Sequence, residues 1–308
     1  MSFSIDGKTA IVTGAAHGIG LAIARHFSAL GANVMCADMD EAGLSKEVAA
    51  VPDGAQVEYF AGDLREKLTI ANLLSATLDS FDQVDILVNA SRQVMPSDVL
   101  NQDDKSVETM LEQNVMTSLR LSQLVAKRMI KQSAGQELGQ AGSIVNLSSV
   151  AARRAHPDLL AYSMSTAALD QMTRSMAVGL APHRIRVNAV AFGSVMSSSL
   201  QMALKEQPSF RKDIENHTPM GRIAPASDVA ETVQYLASES SGFVTGQILT
   251  VDGGRTLIDP VEAPAHSAPP LIKMLCVSLD VPASQAIVCT NSSRAADIKS
   301  WAILQQWK

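Results

Sequence analysis

Short apolar runs separated by longer amphipathic ones set the rhythm of this chain through residue 254. Residues 8–12 read as a buried strand, 13–20 are rich in glycine, and 21–30 carry helical periodicity that stops at Gly31. Further strands follow at 33–37, ending at Asp38, at 56–61, ending at Asp63, and at 85–88, ending at Asn89. Residues 142–147, 185–191 and 247–251 supply three more, with helical stretches between them. Alternation of this kind predicts parallel strands joined by crossover helices: an α/β fold with a Rossmann-type doubly wound sheet of about seven strands. In such sheets ligands bind outside the carboxyl ends of the strands, where Asp38, Asp63, Asn89, Ser149 and Gly193 all fall. The pattern predicts one domain over 1–258 and a C-terminal extension over 259–308, because 259–270 turns rich in proline and alanine.

Composition narrows the function. The 308 residues carry a formal net charge of -6, which removes the usual electrostatic reason to bind nucleic acid or an anionic membrane. Cys36, Cys276 and Cys289 show no CxxC spacing and the six histidines no ligand spacing, so neither a structural metal nor a disulfide framework is expected. The stretch 9–24 is apolar enough to suggest a signal peptide, but its glycines and histidine suit a strand, turn and helix better, and no apolar run reaches eighteen residues. The expectation is a soluble, cytoplasmic protein.

Gly14, Gly18 and Gly20 form a GxxxGxG turn between the first strand and first helix. Missing side chains there let backbone amides approach a pyrophosphate at the positive helix N-terminus; a turn needed only for tight packing is the other reading. Asp38, at the end of the second strand, can accept from adenosine ribose hydroxyls and would repel a 2′-phosphate, which favours NAD over NADP. Alternatively Asp38 is a helix cap, given Asp40 and Glu41 just beyond it.

Thr13-Gly14-Ala15-Ala16-His17-Gly18-Ile19-Gly20 resembles the TGxxxGIG motif of the short-chain dehydrogenase/reductase family. The likeness continues through Asp63-Leu64, Asn114, Ser149, Tyr162, Arg186-Val187-Asn188-Ala189-Val190 and Val251-Asp252-Gly253-Gly254, covering 5–256. It implies cofactor contacts from Gly14, His17, Gly18, Ile19, Gly20, Asp38, Tyr162 and the residue four places after it, Thr166. It further implies that Asp63 with Leu64 contacts the adenine, Asn89 the nearby ribose region, and Val195 with Ser197 the nicotinamide carboxamide. The implied activity is hydride transfer between nicotinamide and a small secondary alcohol or ketone, in a homodimer or homotetramer formed through the apolar helices at 107–130 and 161–180.

Such a transfer moves a proton on or off the substrate oxygen, and a phenol does this only if its pKa falls from about 10. The family uses a tyrosine assisted by a lysine, a serine bonded to the substrate oxygen, and an asparagine that holds a relay water. Tyr162, Ser149 and Asn114 match three of these, with Ser149 preceding Tyr162 by 13 positions. Taken singly, they also read as a half-buried aromatic, a loop hydroxyl and a helix-interior amide. The fourth position departs: Tyr-x-x-x-Lys becomes Tyr162-Ser163-Met164-Ser165-Thr166, and Thr166 offers a hydroxyl to a ribose but no charge. Two more departures lie nearby. Asn-Asn-Ala-Gly becomes Asn89-Ala90-Ser91-Arg92, and Pro-Gly becomes Phe192-Gly193.

Two readings of Arg92 stay open: it points to solvent, or its guanidinium reaches the crevice and replaces the missing ammonium. Arg153 and Arg154 are weaker candidates for the same role. Residues 197–218 match the family segment that closes over substrate, with Met196, Met202 and Met220 either lining an adaptable pocket or filling core. The sequence therefore predicts an NAD-dependent oxidoreductase, with a catalytically impaired dinucleotide-binding protein of regulatory or assembly role as the alternative.

Overall fold

The computed structural model describes residues 3–136 and 138–258, together with the backbone of 275–276 and 289–290. Seven parallel strands, β1 (Thr9–Thr13), β2 (Asn33–Asp38), β3 (Val57–Ala61), β4 (Ile86–Asn89), β5 (Gly142–Ser149), β6 (Ile185–Phe192) and β7 (Ile248–Val251), form one sheet in the order β3-β2-β1-β4-β5-β6-β7. The chain winds outward from β1 to β3 and then returns to place β4 beside β1, with Ala10 opposite Ile86. That reversal opens a crevice above the carboxyl ends of β1 and β4.

The strands are apolar on both faces because helices cover both. All five residues of β1 are buried. Ala10 and Val12 face a layer built from α1 (Gly18–Ala29) and α9 (Ala226–Ala237), where Ile23, Phe27, Val229, Val233 and Leu236 are fully enclosed. Ile11, pointing the opposite way, packs with Leu73 of α3 (Lys67–Phe81) and with Leu121, Val125 and Met129 of α5 (Thr117–Gln132). This is the period-2 alternation of a strand read out against two helical layers. Short α2 (Glu41–Ala49) follows β2, and the 21-residue α6 (Leu160–Leu180) leads into β6.

Two boundaries differ from the sequence reading in ways that matter for the site. Helix α1 begins at Gly18, three residues before its apolar periodicity does, so Ile19 and Gly20 lie in its first turn. The stretch 107–130 is not one uniform helix. It is α4 (Ser106–Met110), a π-helical turn (Leu111–Met116) and then α5, and the turn carries Asn114. One extra residue in a helical turn leaves hydrophobic spacing almost unchanged, which is why periodicity does not reveal it.

The motif Arg186-Val187-Asn188-Ala189-Val190 has a structural explanation. Arg186 is buried in β6 and donates to Gln140 Oε1 (2.9 Å) and to the carbonyls of Leu236 (2.7 Å), Ser238 (3.0 Å) and Val244 (3.2 Å), closing the C-terminal end of α9. Desolvation pushes its guanidinium down to about 10. Asn188 donates to Val244 O and accepts from Gln247 N, which docks the approach to β7.

Contacts divide the chain into Met1–Ile258 and Asp259–Lys308. In the second unit the backbone of Leu275–Cys276 pairs antiparallel with Cys289–Thr290. Apart from those four residues, the C-terminal extension expected over 259–308 lies outside the described residues.

Candidate active site

The first strand ends in a loop pressed against the segment after β4. Gly14 has φ +66°, and a Cβ on it would lie 2.9 Å from Ala90 O and Ser91 N, so a side chain there would force the two segments apart. Gly20 is tighter still, since its Cβ would fall 2.1 Å from Gly14 O. Thr13 locks the junction: its Oγ1 accepts from the amides of Ala90 and Ser91, both at 3.0 Å. Above it runs a groove of about 480 Å³, lined by Gly14, His17, Gly18, Ile19, Gly20 and Asp38 and also by Ala90, Ser91, Arg92 and Ser197. A bare-backbone cradle at a helix N-terminus with a carboxylate beside it suits a dinucleotide.

Asp38 is not the cap of α2. That role belongs to Asp40, whose Oδ1 accepts from Gly43 N at 3.0 Å. Asp38 instead accepts from Ala16 N at 3.1 Å, tying the end of β2 to the glycine loop, and from Asp40 N at 3.2 Å. Arg65 and His17 of this groove already have carboxylate partners. Arg65, which lines the groove, clamps Asp63 with its Nε 2.9 Å from both carboxylate oxygens, and His17 lies 2.6 Å from Asp40. These bonds hold the Asp63 carboxyl below the usual carboxylate range, chiefly through Arg65, and the Asp40 carboxyl likewise, through Gly43 N and then His17. Leu64 is buried beneath them.

Asn89 points into the fold. Its amide donates to Ser122 Oγ (2.9 Å) and Asn146 Oδ1 (2.8 Å), and Asn146 donates onward to Thr173 Oγ1 (2.9 Å), so a polar ladder crosses from β4 through β5 to α6. Beside it Ser148 donates to Asp170 at 2.6 Å. Desolvation raises the Asp170 carboxyl, and the Ser148 bond opposes this. The sequence reading singled out none of Ser122, Asn146, Thr173 or Asp170, which look like ordinary helix and strand residues until the partners meet.

Tyr162 and Asn114 line one small cavity, and Ser149 stands at the carboxyl end of β5. Ser149 ends β5 opposite Phe192, and its Oγ accepts from Ala151 N at 3.1 Å. Tyr162, in the first turn of α6, is 5 % exposed. Asn114 Oδ1 accepts from Gln93 N (2.8 Å), and its Nδ2 donates to Gln93 O (3.0 Å) and Ser165 Oγ (3.2 Å). A cavity of about 10 Å³ lies among Asn114, Ser118, Tyr162 and Thr166, about what one water molecule needs. Thr166 is buried, and its hydroxyl reaches the carbonyls of Tyr162 (2.9 Å) and Ser163 (3.2 Å) in its own helix.

Arg92 turns into the crevice rather than toward solvent. Its Nη1 donates to Tyr162 Oη at 2.5 Å, while the guanidinium lies over the Phe192 ring, 4.3 Å from the centroid. Arg153 and Arg154 face elsewhere: Arg153 donates to Thr250 Oγ1 at 3.0 Å and Arg154 to Thr256 O.

Beyond β6, Ser194 takes φ +60°, an uncommon left-handed conformation for serine, and its Oγ accepts from Arg255 at 2.7 Å. Val195 is buried and bridges to Ala224, and Ser197 caps α7 (Ser198–Glu206), accepting from Leu200 N. Then comes α8 (Ser209–Asn216). Met202 and Met220 are exposed, and Met220 lines a second cavity of about 610 Å³ with Arg153, Ser194, Arg222, Val251 and Leu257. Neither residue fills the core.

A family model described as enoyl-(acyl carrier protein) reductase, within the short-chain dehydrogenase/reductases, matches residues 14–256. The chain belongs to the short-chain dehydrogenase/reductase family. It is 34 % identical over 259 residues to an uncharacterized oxidoreductase of Mycobacterium tuberculosis, covering 82 % of this chain and 94 % of that protein. Against the 7alpha-hydroxysteroid dehydrogenase of Escherichia coli it is 32 % identical over 253 residues, 81 % and 94 % of the two chains. The 2,3-dihydroxy-2,3-dihydro-p-cumate dehydrogenase of Pseudomonas putida is 31 % identical over 256 residues, 82 % and 96 %. The solved 7alpha-hydroxysteroid dehydrogenase complexed with NADH and 7-oxo glycochenodeoxycholic acid superimposes with a TM-score of 0.76 at 31 % identity, covering 82 % of this chain and 96 % of that one.

Within this short-chain dehydrogenase/reductase, Arg92, Phe192, Tyr162 and Thr166 lie together. The Arg92 guanidinium stacks on Phe192 and reaches Tyr162, and Thr166 lies one helical turn beyond that tyrosine.

Proposed function

We propose that the protein is an NAD-dependent oxidoreductase that interconverts a secondary alcohol and a ketone, with Tyr162 as the acid/base. One observation carries this reading: one groove is lined by both Asp38 and Arg92, and Arg92 reaches the hydroxyl of the buried Tyr162. The pyrophosphate would rest on the backbone of Gly14, Gly18, Ile19 and Gly20, the ribose hydroxyls on Asp38, and the adenine beside Asp63 and Leu64. Val195 and Ser197 would meet the carboxamide, and Asn89 acts from below by fixing the end of β4. Bound there, a nicotinamide would supply the hydride donor or acceptor.

The chain's own groups handle the proton. Ser149 donates to the substrate oxygen and fixes its position, and Tyr162 exchanges a proton with that same oxygen. Asn114 holds the loop at Gln93 and borders the small cavity through which the Tyr162 proton is relayed. With Arg65 and His17 already bonded to carboxylates, neither is free to favour a 2′-phosphate. The exposed apolar residues Leu160, Met164 and Val178 on α6 suit burial against a second copy in a homodimer or homotetramer.

Titrating NADH and NADPH separately, and then assaying a panel of secondary alcohols and ketones, tests the proposal. Tighter NADH binding with turnover of at least one class supports it. NADH binding with no turnover across the panel points instead to a dinucleotide-binding protein without redox chemistry.

A further inference from the structure

A guanidinium beside a phenol oxygen stabilises the phenolate over the phenol, and Arg keeps its charge at any pH at which the protein is folded. Arg92 Nη1 is 2.5 Å from Tyr162 Oη. Its guanidinium is seated with Cζ 4.3 Å from the centroid of the Phe192 ring, which leaves the N–H edge free to donate. The backbone on either side is pinned: Ala90 and Ser91 donate to Thr13 Oγ1, and both polar groups of Gln93 are bonded by Asn114. Phe192 is the register partner of Ser149, so the seat lies beside the serine that would orient substrate.

Among the described residues, Arg92 alone is hydrogen-bonded to Tyr162 Oη. On the elements packed against α6, Glu112 pairs with Arg120, Glu108 and Asp158 are exposed, and Arg186 is committed to carbonyls at the opposite end of β6. Asp170, on α6 itself, accepts from Ser148, and Thr166 spends its hydroxyl on its own helix.

We propose that Arg92, seated on Phe192, supplies the positive charge for Tyr162 that family members take from a lysine on the tyrosine's own helix. The proposal rests on the reading of Tyr162 as acid/base. During alcohol oxidation the Tyr162 phenolate takes the carbinol proton, and oxidised nicotinamide bound in the groove would accept the hydride from the same carbinol. Arg92 stays protonated throughout and gives up nothing.

The test compares Arg92→Met, Tyr162→Phe and the reciprocal double variant Arg92→Gly with Thr166→Lys in the full-length protein. Three readouts are used: NADH binding, turnover against pH, and tyrosinate absorbance on alkaline titration. The chain has three tyrosines, and Tyr162→Phe identifies which signal belongs to Tyr162. Arg92→Met should keep NADH binding, lose about 10²-fold or more in kcat near neutral pH, and recover toward alkaline pH. Its Tyr162 signal should move up by about one pH unit or more, and the double variant should regain about tenfold or more in turnover over Arg92→Met. If Arg92→Met misfolds, Arg92→Gln serves the same comparison. An unchanged pH profile with an unchanged tyrosinate titration overturns the proposal. If the native protein turns over no substrate, the acid/base reading fails, yet the tyrosinate titration still decides the role of Arg92: a shift upholds it and no shift overturns it.

Discussion

Asn114 grips Gln93 by both polar groups of its main chain, accepting from the amide at 2.8 Å and donating to the carbonyl at 3.0 Å. Asn114 sits in the π-helical turn, and Gln93 directly follows Arg92. The distorted turn thus fixes the backbone from which Arg92 reaches Tyr162. Asn114→Leu should leave the Gln93 amide and carbonyl unpaired in a partly buried place, costing about 1–3 kcal/mol. We expect kcat to fall by more than that stability loss accounts for, with NADH affinity retained. Urea melts paired with steady-state kinetics check this, and a variant that is destabilised but fully active would show that the grip is purely structural.

Cofactor choice follows from Asp38. Its carboxylate lines the groove where the adenosine ribose would rest, so NADH should bind at least about tenfold tighter than NADPH, a difference of about 1.4 kcal/mol. Asp38→Ala should narrow that gap from both sides, weakening NADH and relieving the repulsion of NADPH. Fluorescence titration of each nucleotide measures it. Equal affinities in the native protein would sink the assignment.

The strands were legible in the sequence because a sheet covered on both faces has apolar residues at successive positions, as in Ala10-Ile11-Val12 and Ile144-Val145. Glycine spacing located the cradle, because Gly14 and Gly20 leave no room for a Cβ. The rest depends on relations that no local pattern encodes. The π turn around Asn114 hides within helical periodicity, and the direction of Arg92, in the segment after β4, is set by Phe192, a hundred residues on in the chain at the end of β6. Arg65 carried no signal of its own; its place became visible only once Asp63 and the groove were placed together.

The sheet is complete at Val251, and Asp252 closes the turn after it by accepting from Gly254 N and Thr256 N. We therefore expect a protein ending at Ile258 to melt cooperatively and to bind NADH as the full chain does. Calorimetry on both proteins checks this. Loss of the cooperative transition in the shortened protein would place residues 259–308 within the folding unit.

Asp85 gives a pH signature for stability. Just before β4, its carboxylate accepts from Thr9 N at 2.9 Å, and desolvation raises it above the ordinary carboxylate range while the Thr9 amide and Lys8 oppose the shift. A carboxyl raised in the folded state binds its proton more tightly there than in the unfolded chain. Folding therefore loses stability as pH climbs from the unfolded value through the folded one, and the loss is complete above it. Asp85→Asn keeps an acceptor for Thr9 N and removes the charge. The variant's stability relative to the native protein should rise with pH across the mildly acidic range and then level off by neutrality. Urea melts of both proteins at a series of pH values measure that difference directly, cancelling the opposite contributions of Asp40, Asp63 and Asp252, whose carboxyls are lowered. A difference that shrinks with rising pH would mean that the Asp85 charge is stabilised on folding, by Thr9 and Lys8, more than burial penalises it.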